Sequence, residues 1–192
     1  MKKYAARTTR LTSDMIEESK KLIYAMGLPV IEAPSEGEAQ AAHMVKTDKA
    51  FAVASQDADS LMFGSPSLLR NLSLAGKRKK TNKLAYETIK PEIISLSDTL
   101  NNMGIDQEQL IALGMLVGTD FNDGGIKGIG PHKGLKLIKE HGNDFVKLFK
   151  TVKWDDYFDY PWTEVFYLFK KMPVTDDYNL DWKEVDRKKV YE

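Results

Sequence analysis

The sequence predicts an α/β protein: a parallel sheet flanked by helices, followed by a helical region built around a glycine-rich hairpin. Three observations carry this prediction. Segments of strand and helix length alternate up to Pro91, the βαβ pattern of a sheet covered by helices. The run from Ala50 to Ser55 is short and continuously apolar, as in a strand buried on both faces. Beyond Pro91 the pattern turns mainly helical, and Gly124-Gly125-Ile126-Lys127-Gly128-Ile129-Gly130-Pro131 joins two of the helices.

The elements follow in order. Thr12 to Met26 has apolar residues near helical spacing (Met15, Ile16, Leu22, Ile23, Met26), and Gly27 can end the helix. Leu28 to Ile31 reads as a short strand. Pro34-Ser35 opens a second helix with Ser35 as N-cap, and Ala50 to Ser55 is the next strand. Leu68 to Leu74 and Leu84 to Ile89 read as strands flanking a basic turn, Gly76 to Lys83, in a hairpin. Asp106 to Val117 and Pro131 to His141 are helices, the second stopped by Gly142. Trp154, Trp162 and Phe166 to Phe169 suggest more helix before an extended tail.

At 192 residues with 42% hydrophobic content, the chain can bury one core. No apolar run approaches the roughly 18 residues of a membrane span. No apolar stretch follows Met1-Lys2-Lys3-Tyr4, so neither a secretory signal nor a membrane partner is expected, and the expected location is cytoplasmic, or nuclear in a eukaryote. With no cysteine, disulfides and thiolate metal sites are excluded. Lys+Arg and Asp+Glu both number 28, so the whole-chain basic excess of many nucleic-acid binders is missing. Basic residues gather instead at Lys2 to Arg10 and at Lys77-Arg78-Lys79-Lys80 with Lys83, runs that a solvated face also explains.

The candidate functional residues are carboxylates at element ends. Asp57 and Asp59 follow the strand ending at Ser55, where open α/β sheets place their ligand sites. An extended backbone would turn both to one side, although Asp59 could equally cap a short turn from Ser60 to Phe63. Glu36 and Glu38 stand in a first helical turn, where the helix dipole alone accounts for acids and Ser35 with Glu38 could form a capping box. Asp120, in Gly118-Thr119-Asp120-Phe121-Asn122, could belong to an ordinary Asx turn. Acids gathered at one pocket repel one another unless divalent cations neutralise them, and an all-oxygen set suits Mg²⁺ or Mn²⁺. His43, His132 and His141 are too scattered for a zinc site.

Around the hairpin, Gly128 and Gly130 allow close backbone approach, and the helix from Pro131 presents its first amides to an anion. Lys127, Lys133 and Lys136 would add charge against a phosphate backbone without reading sequence. A plain helix–helix turn is the alternative.

Four stretches, EAPSEGEAQAA (Glu32 to Ala42), SQDADSLMFG (Ser55 to Gly64), RNLSLAGKRK (Arg70 to Lys79) and VGTDFNDGGIKGIGPHKGL (Val117 to Leu135), resemble in the same order the flap endonucleases, most closely archaeal ones. The resemblance extends to Tyr4–Arg10 and Val174–Tyr178. It implies a PIN-like sheet and structure-specific 5′ flap cleavage of branched DNA in replication and repair. It matches Glu36, Glu38, Asp57, Asp59 and Asp120 to metal-binding, catalytic carboxylates for two Mg²⁺ ions. It matches Lys127, Gly128, Ile129, Gly130, Lys133 and Lys136 to a helix-hairpin-helix (helix-two-turn-helix) DNA contact that also holds K⁺. The implied regions are 1–104 (internal nuclease α/β), 105–150 (helix-hairpin-helix) and 151–192 (helical and extended). The family's N-terminal strands, two further aspartates and basic arch find no match here, nor do its final helices and sliding-clamp-binding tail. A fragment or subunit, weak or inactive alone, is therefore expected, and no clamp contact. A non-catalytic DNA-binding module, or half of a split enzyme with a separate N-terminal partner, are the other readings. Asp123, and His132 where a lysine is common, depart from the pattern.

Overall fold

The computed structural model describes residues 11–72, 76–79 and 86–191, which fall into two compact units. One gathers the residues up to Ala33 with those from Thr175 onward; the other runs from Pro34 to Val174.

The first unit is organised by helix α1 (Ser13–Ala25), whose N-cap Thr12 accepts a hydrogen bond from the Met15 amide at 3.3 Å. Leu28 to Ile31, expected as a strand, pairs with no described strand. Pro29 has no amide to donate, and the Leu28 amide turns back to the Ile23 carbonyl at 3.1 Å. The backbone instead meets the tail. Lys183 N–H donates to the Gly27 carbonyl at 2.9 Å and Asp186 N–H to that of Ala25 at 2.8 Å. Gly27 has φ 77° and sits so close to the tail that a β-carbon would lie 2.0 Å from the Lys183 oxygen, so only glycine fits. A last turn, Arg187–Tyr191, lies against α1.

The second unit begins with α2 (Gly37–Lys46), β1 (Val53–Ala54), α3 (Asp59–Met62) and β2 (Ser67–Arg70). Glu36, not Ser35, is the N-cap of α2, and it makes no side-chain capping bond. The strand expected over 50–55 is only two residues long. It runs parallel to β2, Val53 opposite Leu68, across a βαβ crossover containing α3. An antiparallel pair, β3 (Gly76–Lys79) and β4 (Tyr86–Ile89), follows, so the basic segment expected as a turn begins as a strand. Residues 73–75 and 80–85 of the expected hairpin lie outside the described ones. A further strand, β5 (Glu92–Ser95), returns antiparallel beside β2 and makes the sheet mixed, in the order β1-β2-β5.

Helices α4 (Leu96–Met103), α5 (Gln107–Val117), α6 (Pro131–His141), α7 (Phe145–Thr151) and α8 (Trp162–Lys171) complete the unit. Asp106 and Gln109 form a full capping box at the start of α5, and Ile111, Ala112, Leu113, Met115 and Leu116 bury its apolar residues. Burial of each large side chain contributes roughly 1.5–3 kcal/mol. Helix α6 crosses α5 closely, since a β-carbon at Gly134 would stand 2.7 Å from Leu113 Cδ1. Aromatic rings close the core. Phe149 stacks on Trp162 at 4.7 Å, Trp154 donates from Nε1 to the Tyr160 carbonyl at 2.8 Å, and Tyr160 donates from its hydroxyl to the Phe121 carbonyl at 3.0 Å. Phe169 of α8 packs on both Phe63 (5.0 Å) and Phe121 (5.2 Å). Among the described residues, no helix is long and apolar enough to cross a membrane.

Candidate metal centre

The segment that follows β1, the amino end of α3 and the carboxyl end of α5 meet at one cleft. Asp57, Ala58, Asp59, Val117, Gly118, Thr119, Asp120, Asp123 and Gly124 line it, enclosing about 360 Å³. Asp59 does not cap α3: the N-cap is Ala58, without a side-chain bond, and Asp59 opens the helix with its carboxyl turned to the cleft. The other end of α3 is pinned. Gln107 Nε2 donates to the carbonyls of Leu61 (3.0 Å) and Met62 (2.8 Å), and Lys46 Nζ to that of Phe63 (3.1 Å).

Ser55 joins two further acids. Its hydroxyl donates to Glu38 Oε1 at 2.6 Å and accepts from the Asp57 amide at 3.1 Å. The capping role open to Glu38 is thereby set aside, because its carboxylate leans across to the end of β1 rather than back to its own helix. Glu38 Oε2 is buried without a hydrogen-bond partner. Nor is Asp120 the Asx residue of its turn. The side-chain bond of this turn is Thr119's, whose hydroxyl oxygen accepts from the Phe121 amide at 3.2 Å and donates to buried Asn122 Oδ1 at 2.6 Å, while the Asn122 amide donates to the Met115 carbonyl at 2.7 Å. Asp120 is left exposed on the cleft.

The electrostatics tie the set together. Burial first, then the charges of Glu38, Asp120, Asp57 and Glu36 in that order, push the Asp59 carboxyl above its ordinary range. The other four acids singled out in the sequence thus all act on Asp59. They do not yet form a cage: among the described residues, no group of three acids or histidines stands ready around a single cation. The donor set still fits a hard divalent cation, being all oxygen: Asp57, Asp59 and Asp120 line the cleft, Glu36 and Glu38 do not, and Glu38, bonded to Ser55 after β1, keeps one buried carboxylate oxygen without a partner. Two contributors escaped the sequence reading of the site, Ser55 and the cleft-lining Asp123. The period-2 spacing of Ser55, Asp57 and Asp59 was the available signal for the first.

The glycine hairpin begins at the cleft's edge. Gly124, Gly125 and Gly128 have φ of 74°, 56° and 81°, and buried Ile126 anchors the loop through its amide to the Leu116 carbonyl at 2.9 Å. A β-carbon on Gly125 would meet Val117 backbone at 2.4 Å, whereas one on Gly128 or Gly130 would meet nothing within 4 Å. The outer face is therefore open backbone. Lys127, Lys133 and Lys136 are exposed beside it and Ile129 is half-buried. Lys133 Nζ reaches the Gly128 carbonyl at 3.4 Å, and Lys136 pairs loosely with Glu140 at 3.7 Å. Gly130 caps α6 with no side-chain bond, leaving first-turn amides for a ligand.

A larger cavity, about 980 Å³, lies in the first unit, lined by Glu18, Lys21, Leu22, Tyr24, Lys183 and Glu184 among others. Its acids, Glu18, Glu184 and Asp186, stand among Lys21, Lys183 and Lys189, with Lys21 paired to Glu18 and Lys189 to Asp186, so size does not outweigh chemistry here.

Residues 27–120 match the XPG I-region family model. Flap endonuclease 1 of Hyperthermus butylicus is 50% identical over 191 residues, covering 100% of this chain and 54% of that protein. The solved flap endonuclease-1 from Methanococcus jannaschii superposes with a TM-score of 0.79 at 37% identity, over 98% of this chain and 53% of that one. The catalytic core of Rad2 in complex with DNA substrate shares the fold, with a TM-score of 0.72 at 24% identity over 98% of this chain and 64% of that one. The chain spans about half the length of the curated relatives it matches.

Proposed function

We propose that this chain, related along its whole length to the flap endonucleases, carries the carboxylate centre and duplex-holding hairpin of a structure-specific DNA nuclease. The observation that carries the reading is a cleft lined by Asp57, Asp59 and Asp120, with Glu36 and Glu38 also acting on Asp59, that adjoins an open glycine hairpin.

Glu36, Glu38, Asp57, Asp59 and Asp120 would hold Mg²⁺, with Mn²⁺ as a substitute. Two such ions supply an activated water and stabilise the leaving oxygen of a phosphodiester. The chain's own residues do the rest. Ser55 fixes Glu38 and the Asp57 backbone together, so two ligands share one support. Gln107 and Lys46 hold α3, and with it Asp59, in place. The amides at the start of α6, with Lys127, Lys133 and Lys136, grip duplex phosphates without reading bases. Carbonyls of the same loop would hold K⁺, whose positive charge would add to the attraction for duplex phosphate. Only a few residues separate Asp120 from Gly128, so duplex held at the hairpin lies beside the acids.

The test measures Mn²⁺ binding by calorimetry and cleavage of labelled branched DNA in Mg²⁺. D57A and D120A should lose cation binding and any cleavage while retaining duplex binding, which should weaken as salt rises. Duplex binding by the unaltered chain with neither cation binding nor cleavage would favour a non-catalytic DNA-binding module instead.

A further inference from the structure

Asp123 lines the cleft with Asp57, Asp59 and Asp120, yet it belongs to the approach of the glycine hairpin. The Gly125 amide donates to the Asn122 carbonyl at 3.2 Å, closing a four-residue turn in which Asp123 stands second and Gly124, at φ 74°, third. That φ marks a type II turn, whose second position favours proline and asks nothing of an acid. Buried Asn122 holds the turn in place through its amide bond to the Met115 carbonyl at 2.7 Å. Asp123 itself is exposed, and among the described residues no hydrogen bond or ion pair takes up its carboxylate. Local structure therefore does not account for the charge.

The charges that push Asp59 upward come from Glu38, Asp120, Asp57 and Glu36, with none from Asp123. Asp123 thus stands on the hairpin side of the cleft rather than among the acids gathered at Asp59. A second turn, closed by the Ile129 amide on the Ile126 carbonyl at 3.0 Å, carries the chain on to the open backbone of Gly128 and Gly130. Even fully extended, the stretch from Asp123 to Gly128 would span only about 17 Å, and the two turns shorten it. A phosphate drawn to the first amides of α6 therefore approaches an unpaired carboxylate. Like charges at this range repel, and the repulsion persists until a cation neutralises it.

We propose that Asp123 couples duplex binding at the hairpin to the cation content of the cleft. Without divalent cations its carboxylate opposes the phosphate that the hairpin attracts; with them the opposition is offset. Coupling of this kind is reciprocal, so bound duplex raises the affinity of the cleft for the cation by the same factor. The inference rests on the reading of the hairpin as a duplex contact and of the cleft as a cation site.

The experiment measures binding of a labelled blunt duplex by fluorescence anisotropy, with the unaltered chain, D123N, D123E and G130V, in chelator and in Mn²⁺. In chelator D123N should bind about three- to tenfold more tightly than the unaltered chain, the scale of one unit charge removed near a protein surface, and the gap should narrow as salt rises. Mn²⁺ should tighten binding by the unaltered chain more than by D123N, and D123E should behave as the unaltered chain. Equal affinities of D123N and the unaltered chain in chelator overturn the proposal, as does a Mn²⁺ effect of the same size in both. Should D123N fold poorly, D123S repeats the comparison. The G130V variant separates the two levels of failure. Duplex binding that G130V does not weaken, or no duplex binding by the unaltered chain, means that the hairpin reading has failed and this proposal with it. Binding that G130V weakens and D123N leaves unchanged overturns the role of Asp123 alone.

Discussion

Asp59 shows what a group of acids costs the protein that gathers them. Its carboxyl is pushed upward by burial and by four neighbouring charges, so the folded chain holds that proton more tightly than the unfolded chain does. The sign follows. Below the ordinary carboxylate range both states are protonated and Asp59 is neutral for stability. As pH rises through the raised value the native state must ionise a disfavoured group, and stability falls. D59N should therefore raise Tm in chelator at neutral pH, with the gain vanishing in acid, and Mn²⁺ should stabilise the unaltered chain more than the variant. Melts across pH with and without Mn²⁺ check this; a lower Tm for D59N at neutral pH would contradict it. The position of Asp59 was legible because a strand end predicts a ligand edge. That Glu36 rather than Ser35 caps α2 was not, since it depends on Glu38 being drawn toward Ser55, a residue distant in sequence.

At the scale of the element, the glycine hairpin divides into residues that hold the loop and residues that face outward. Gly125 has positive φ and a β-carbon would collide with Val117 backbone, so G125A should destabilise the chain by about 1–3 kcal/mol in denaturant unfolding. Gly130 has φ −97° with open space before it, so G130V should leave stability nearly unchanged while duplex binding falls. Equal losses of stability in the two variants would refute this division. Helices α5 and α6 were legible because their caps, Asp106 and Gly142, are local signals. The strands were less so. Leu28 to Ile31 had the composition of a strand but pairs with none among the described residues, and β5 was missed because a strand exists only where a neighbour accepts its ladder.

On the scale of the whole second unit, residues far apart in sequence must agree. Phe169 packs on Phe63, just beyond α3 with Asp59, and on Phe121, the residue after Asp120. F169A should cost about 3–5 kcal/mol by cavity formation and weaken Mn²⁺ binding, because both sides of the cleft lose a common support. Calorimetric titration alongside chemical unfolding checks both effects; full cation affinity in a folded F169A would show that the cleft stands without it. The aromatic count announced a core, but no periodicity could say which ring would meet which loop. The same ring also sets a timetable. A chain made from its N-terminus exposes Glu36 to Asp120 well before Phe169 is added, and until α8 docks Phe63 and Phe121 lack the ring that supports them both. The acids are thus spelled early and braced late, so a nascent or interrupted chain carries these carboxylates before the ring that steadies their cleft.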